Sequence, residues 1–261
     1  MGTGGTDPLG LVLHWDGHRV QWCARSGPLV HKVGEWPARD EASLVQGLEV
    51  LKSQGDLVEW VVWGFRHPDF ALAPGHVTEE EGAAVYRLQW GKGPAGVRVF
   101  GSEGWAAGWG LVEAQEAALE ARVRGVWPQA VRRSAAAACL EAWGRESKGH
   151  GTCVYWDLSP GRALGSIWRS GQLRWALAVD AVEPDDLLYL TVNALHRQGA
   201  SVEEARVGFS GEVAEGDGMW TGFHRFFGEL VCIVPDSTLH RWEGEAELRL
   251  QRWWGLMNLG V

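Results

Sequence analysis

The 261-residue chain is poor in several residue types: it has four lysines, two isoleucines and two asparagines, and its four cysteines form no Cys-x-x-Cys pair. That cysteine spacing argues against a structural zinc site and predicts reduced, buried thiols in a cytoplasmic protein. No run approaches about 18 consecutive apolar residues, so we expect no membrane insertion. Residues 1–8 carry neither a basic cluster nor an apolar stretch, and we expect a disordered segment there and no signal peptide.

Positive charge is also scarce. Lysine and arginine total 24 against 33 acidic residues, which gives a formal net charge of −9. The longest basic cluster is Arg132-Arg133, and such an acidic chain repels a phosphate backbone. The composition therefore predicts that nucleic acid is not a partner.

Tryptophan is abundant, with 17 residues against three tyrosines and seven phenylalanines. One interpretation is a ligand-stacking surface, as in a carbohydrate-binding module. The other is that tryptophan fills ordinary core positions, since Trp22, Trp60, Trp156, Trp168 and Trp175 fall at apolar positions of predicted strands. The accompanying scarcity of lysine, isoleucine and asparagine affects the whole chain and favours the second interpretation.

Trp253 and Trp254 stand apart, because they follow the last predicted strand with Leu256 and Met257 close by. Such a tail either docks on its own domain or provides an anchor for a protein partner, since tryptophan is enriched at interface hot spots.

The first half of the chain reads as a hairpin followed by helices and strands. Residues 9–25 form two apolar runs around Asp16-Gly17, a dipeptide favoured in two-residue hairpin turns, which would pair Trp15 with His18. The later elements follow from hydrophobic spacing. They are a helix over 40–54, strands over Leu57–Phe65, Tyr86–Trp90 and Val97–Phe100, an extended segment over His67–Val77, and helices over Leu111–Val123 and Ser134–Trp143.

The polar segment Gly144–Gly151 is the best candidate for a domain boundary. Beyond it the pattern restarts, with strands over Thr152–Leu158, Ala163–Arg169 and Gln172–Asp180, a helix over Pro184–Gln198, a strand over Glu204–Phe209, a helix over Trp220–Phe227 and a strand over Leu230–Val234. Each half thus orders strands, helix, strand and helix. The sequence predicts an α/β protein of two related lobes, residues 9–148 and residues 149–261 with a C-terminal tail, each a mixed sheet with helices.

This order of elements resembles the two-lobe, ribonuclease H-like architecture of the actin-like ATPases, a superfamily that includes actin, sugar kinases, chaperone ATPases and proteins of the PilM/FtsA type. The detail is closer to a bacterial family of unknown function, typical of Bacteroidetes, with a degenerate version of that fold. The segments that carry the resemblance are LVLHWDGHRVQWCA, FALAP, YWDLSPGRALGSIWRSGQLRWALA, DDLLYLTVNAL and RVGFSGEV.

The resemblance implies ATP and Mg²⁺ held by three short signatures. The first is an acid-x-Gly-Thr/Ser loop in the opening hairpin, whose N–H groups surround a phosphate and whose acid helps to hold the metal. Here it corresponds to Asp16 and Gly17, with His18-Arg19 in place of the hydroxyl residue. A two-residue turn provides no ring of N–H donors, so we interpret Asp16 first as a turn residue.

The other two signatures are altered. The second, acid-x-Gly-x-Thr/Ser, aligns with Asp157, Ser159 and Gly161, and Pro160 removes an N–H donor from the phosphate cradle. The third, an apolar-x-Gly-Gly adenosine loop, aligns with Ser210 and Gly211 and places an acidic residue where the nucleotide would lie.

Two hypotheses follow. The first is a non-catalytic pseudo-ATPase without a cofactor, a scaffold for a protein partner that the sequence does not identify. The alternative is an ATPase or kinase-like enzyme that binds Mg-ATP in the interlobe cleft. In that case the nucleotide-binding residues would be Asp16, Gly17, Asp157, Ser159, Gly161, Ser210 and Gly211.

Overall fold

The computed structural model describes residues 8–54, 58–65, 69–74, 77–91, 93–100, 109–180, 183–242 and 249–260. The strands are β1 (Leu9–Trp15), β2 (Arg19–Ser26), β3 (Leu29–Pro37), β4 (Trp60–Phe65), β5 (Phe70–Pro74), β6 (Val97–Phe100), β7 (Trp109–Ala114), β8 (Val131–Arg132), β9 (Thr152–Ser159), β10 (Arg162–Arg169), β11 (Gln172–Asp180), β12 (Ala205–Gly211), β13 (Glu229–Cys232) and β14 (Arg241–Trp242). The helices are α1 (Glu41–Gln54), α2 (Glu79–Trp90), α3 (Ala117–Val126), α4 (Ala135–Glu146), α5 (Pro184–Arg197), α6 (Gly218–His224) and α7 (Trp254–Leu259), with a 3₁₀ turn at Leu250–Trp253 before α7.

The chain divides into two compact units. Unit 1 comprises Met1–Arg66, Glu116–Ala135 and Pro235–Val261, and unit 2 comprises His67–Gln115 and Ala136–Val234. The predicted lobes divide the chain differently, because β14 returns to pair with β3 and α7 packs on β1. The two compact units do not test whether the lobes are related by a repeat, so the predicted lobe boundary between residues 148 and 149 stays a prediction.

Unit 1 is built on a six-stranded sheet in the order β14-β3-β2-β1-β4-β8. Leu11 and Leu13 of β1 pack in one core with Leu44 and Leu48 of α1. Successive strand side chains point to opposite faces, so Val12 points the other way, where Gly260 at the end of α7 lies against it. The central strands are thus covered on both faces.

Unit 2 contains two sheets. The larger has the order β11-β10-β9-β12-β13, with β9 and β12 parallel, and its core includes Trp156, Phe209 and Phe223. The smaller is the antiparallel sheet β5-β7-β6, against which α2 packs through Tyr86. The order β9-β10-β11-α5-β12-α6-β13 agrees with the predicted order of strands and helices.

Two predicted elements are wrong. Tyr86–Trp90 belongs to the helix α2, which begins with a capping box in which Thr78 and Glu81 bond to each other's backbone N–H groups. Leu111–Val123 is not one helix, because β7 pairs with both β5 and β6 before α3 begins at Ala117. In both cases pairing and capping override the apolar spacing. The helix predicted to end at Trp143 continues to Glu146 and so overlaps the segment Gly144–Gly151, whose role as a domain boundary stays a prediction.

In the part of the chain that the structure describes, three of the four cysteines and seven of 16 tryptophans are buried. Cys23, Cys139 and Cys153 are buried free thiols, as predicted, and burial raises the pKa of the Cys23 thiol to about 12. Among the described tryptophans, seven are buried, namely Trp63, Trp127, Trp143, Trp156, Trp168, Trp253 and Trp254. This distribution through both cores supports the core-filling interpretation of the tryptophan excess.

Candidate functional site

The first candidate site is the turn between β1 and β2. Trp15 pairs with Val20 and the Asp16 N–H donates to the Arg19 carbonyl at 3.1 Å, so the turn residues are Gly17 and His18. The predicted pairing of Trp15 with His18 is therefore wrong. Gly17 has a φ of 92°, which suits glycine at the first position of a type II′ turn.

The Asp16 carboxylate is hydrogen-bonded within this turn. It is buried, and its Oδ1 accepts the backbone N–H groups of His18 and Arg19 at 2.8 and 2.9 Å. Its Oδ2 lies 3.2 Å from the Arg19 guanidinium, which also reaches Glu35 at 3.8 Å. The N–H groups of His18 and Arg19 thus point to the side chain of Asp16.

We expect Asp16→Ala to lower the free energy of unfolding by about 2 kcal/mol, because two backbone N–H groups and a guanidinium lose their acceptor in a buried turn. Asp16→Asn keeps an oxygen for both N–H groups and should cost about half as much. Urea denaturation of the wild type and both variants measures the difference. Equal stability of wild type and Asp16→Ala would contradict a structural role for this carboxylate.

The second candidate site is the turn between β9 and β10. Ser159 pairs with Arg162, which leaves Pro160 and Gly161 as a two-residue turn, and Gly161 has a φ of 71°. Pro160 has no N–H group, so this turn cannot form a continuous row of donors toward a phosphate.

The third candidate site joins the second at adjacent strand ends. In the parallel pairing of β12 with β9, Ser210 lies opposite Asp157 and Gly211 opposite Leu158. Asp157 is 1% exposed, and its Oδ1 accepts a hydrogen bond from the Ser210 hydroxyl at 2.9 Å. The structure thus brings together Asp157, Ser210 and Gly211. Ser159 ends β9 two residues after Asp157, and Gly161 lies in the turn that follows.

One neighbour of Asp157 was missed. Cys139 of α4 places its Sγ 3.9 Å from Asp157 Oδ2, in the interior of unit 2. Nothing in the sequence distinguishes this cysteine from other small core residues. With Ser210 on one oxygen and Cys139 near the other, the Asp157 carboxylate is surrounded by protein.

The partner-binding candidates Trp253 and Trp254 lie inside unit 1. They are 5% and 3% exposed, and α7 contacts β1, β2 and β4. Arg252, beside them, bonds to Glu35 at 2.8 Å and lies over the Trp253 ring. This packing agrees with the alternative in which the tail docks on its own domain, and it leaves neither ring on the surface for a partner.

The described residues include no group of three or more His, Cys, Asp or Glu side chains arranged to hold a metal ion. Within the same ranges, no helix is both long and apolar enough to cross a membrane.

These sheets and their connections are those of an actin-like ATPase fold, and the predicted fold class is confirmed by solved structures. The chain is similar to a Bacteroides thetaiotaomicron protein with an actin-like ATPase fold and unknown function, at a TM-score of 0.71 and 12% identity over 90% of this chain and 93% of that one. It is also similar to a PilM–PilN type IV pilus biogenesis complex, at a TM-score of 0.66 and 16% identity over 96% and 97% of the two chains.

A third similar structure is the ethanolamine utilization protein EutJ from Carboxydothermus hydrogenoformans, at a TM-score of 0.51 and 10% identity over 97% of this chain and 89% of that one. No family model and no curated protein sequence matches the chain. The similarity therefore establishes the fold, and membership of a Bacteroidetes-type family stays a prediction.

Proposed function

We propose that this chain is a non-catalytic member of the actin-like fold, a pseudo-ATPase that acts in the cytoplasm as a scaffold for another protein. The observation that carries the proposal is the opening turn, where the Asp16 carboxylate accepts the N–H groups of His18 and Arg19. Donors already bonded to an internal anion are not available to a phosphate.

The second acid supports the same conclusion. A magnesium-bound nucleotide needs an acid that reaches solvent and N–H groups that approach the phosphates closely. Asp157 is buried against Ser210, and the turn beyond it contains Pro160. These residues do not fit a magnesium nucleotide.

The proposed partner is a protein for two reasons. The net charge of −9 disfavours nucleic acid, and one of the similar folds belongs to a complex of PilM with PilN. A scaffold of this kind would keep the two compact units of the fold and bind the partner protein on its surface.

The alternative is a nucleotide-dependent ATPase or kinase-like enzyme that uses Asp16 and Asp157 to organise Mg²⁺. One observation favours it: Asp157 remains at the end of β9, beside Gly211 of β12. The alternative requires both acids to leave their present hydrogen bonds.

Calorimetric titration of the full chain with Mg-ATP, up to about 1 mM, separates the two functions. We expect no heat of binding from the wild type, from Asp157→Asn or from Asp185→Ala, a control that removes an exposed acid of α5. Circular dichroism verifies that each variant is folded. Sub-millimolar binding that is lost in Asp157→Asn and kept in Asp185→Ala would overturn the proposed function.

A further inference from the structure

An open groove of about 380 Å³ runs along unit 1 between α1 and the strands β2 and β3. Its walls are the half-buried rings of Trp22 and Trp36, with Val50 and Leu51 of α1 and Pro37 at the end of β3. Val50 is 48% exposed. Two of the 17 tryptophans thus line a surface groove, in contrast to the buried ones.

Glycines hold both indole rings in place. Three atoms of the Trp22 ring lie 2.7 Å from the position that a Cβ on Gly34 would take, and the Trp36 ring occupies the space of a Cβ on Gly47. Any larger residue at either position would displace the ring. The Trp22 ring therefore packs closely on the backbone of β3, and the Trp36 ring on that of α1.

The lining chemistry selects apolar side chains. The polar side-chain groups of the lining are Ser43, Gln46 and the indole N–H groups of the two tryptophans, and the Ser43 hydroxyl already donates to Asp40. A sugar ring needs a partner for each of several hydroxyls, and this lining does not provide them. Large apolar side chains need none, and aromatic walls are typical of the anchor pockets of protein interfaces.

A positive charge stands at the edge of the groove. The Lys32 ammonium lies 5.7 Å from the centre of the Trp22 ring, on an exposed side chain. No carboxylate in the described part of the chain pairs with it. This cation complements an acidic residue of a bound segment.

From these observations we infer that the groove binds a short segment of a partner protein that inserts a large apolar side chain between Trp22, Trp36 and Val50 and places an acidic residue near Lys32. The inference rests on the proposed scaffold function and identifies the surface on which the partner protein binds.

A random linear peptide library displayed on phage tests this inference on the full chain. We expect the wild type to enrich peptides that combine a large apolar residue with a nearby Asp or Glu. The Lys32→Glu variant should instead enrich peptides with Lys or Arg beside the apolar residue, because the charge at the groove is reversed.

A synthetic copy of the most enriched peptide then measures affinity. Val50→Arg should weaken its binding at least about tenfold, because the arginine fills the groove. The control is Leu88→Arg, which changes an 87% exposed apolar residue of α2 and should leave the affinity unchanged.

The groove assignment is overturned if no peptide is enriched, if the selected peptides are indifferent to Lys32→Glu, or if Val50→Arg and Leu88→Arg have the same effect. None of these results bears on nucleotide binding. Conversely, Mg-ATP binding that is lost in Asp157→Asn and kept in Asp185→Ala contradicts the proposed function and does not test peptide binding in the groove.

Discussion

Gly211→Ala is expected to lower the free energy of unfolding of unit 2 by about 3–5 kcal/mol. Gly211 has a φ of 83°, which costs an L-residue about 1–2 kcal/mol, and a Cβ there would overlap the carbonyl oxygen of Leu158. That oxygen also accepts the Glu212 N–H at 2.8 Å. Since both groups are backbone of paired strands, neither can move without breaking the pairing of β12 with β9. Urea denaturation followed by tryptophan fluorescence measures the loss.

Gly161→Ala is the matched control for this result. Gly161 also has a positive φ, of 71°, but a Cβ there meets nothing within 4 Å. We expect a cost of about 1–2 kcal/mol from backbone conformation alone. If the two variants are equally destabilised, the close approach of Gly211 to Leu158 does not contribute to stability. That result would contradict tight packing of the strand ends around Asp157.

Trp156→Ala is expected to cost about 3–5 kcal/mol, as for other large aromatic residues removed from a core. The Trp156 ring is fully buried, lies against Gly165 where a Cβ would overlap it, and meets the Trp175 ring edge-on at 5.9 Å. Its Nε1 donates to Thr191 Oγ1 at 3.0 Å. Thermal or urea unfolding of the variant measures this loss of stability, which is expected in unit 2 because Trp156 lies in its core.

Trp156→Phe provides the comparison. It retains an aromatic ring in the same core and loses the indole N–H, so we expect about 1–2 kcal/mol. Thr191 still donates to the Leu187 carbonyl at 2.7 Å, which limits the penalty. A Trp156→Ala variant as stable as Trp156→Phe would argue that this tryptophan is not a core residue, and would return the tryptophan excess to a ligand-stacking interpretation.

Much of the fold could be predicted from the sequence, because its signals are local. Short runs rich in apolar residues mark β1, β2, β9 and β10, and Pro184 at the start of α5 marks a helix. The failures share a cause. Leu111 and Val112 have a spacing that suits a helix, but they lie in β7, which is paired on both sides by distant strands. Local propensity does not contain that long-range pairing.

The candidate site was predictable in part for the same reason. Asp16, Gly17 and Gly161 occupy turns, and turn chemistry depends on a few consecutive residues. The contacts of Asp157 with Ser210 and Cys139 join residues far apart in sequence, so the spacing of motifs could not indicate that this carboxylate is enclosed. The Trp22 and Trp36 groove likewise depends on glycines of two different elements.

The sequence by itself determined the order of strands and helices in the second half of the chain, because periodicity and turn residues express that order directly. The resemblance of its segments to the actin-like ATPases implied the class of fold and the departures from the phosphate signatures. Only the tertiary structure decided where the acids and tryptophans point. It directs Asp16 to its own turn, Asp157 to Ser210, and the Trp253–Trp254 tail into unit 1, because hydrogen bonding and burial are satisfied between segments that the chain brings together only when it folds.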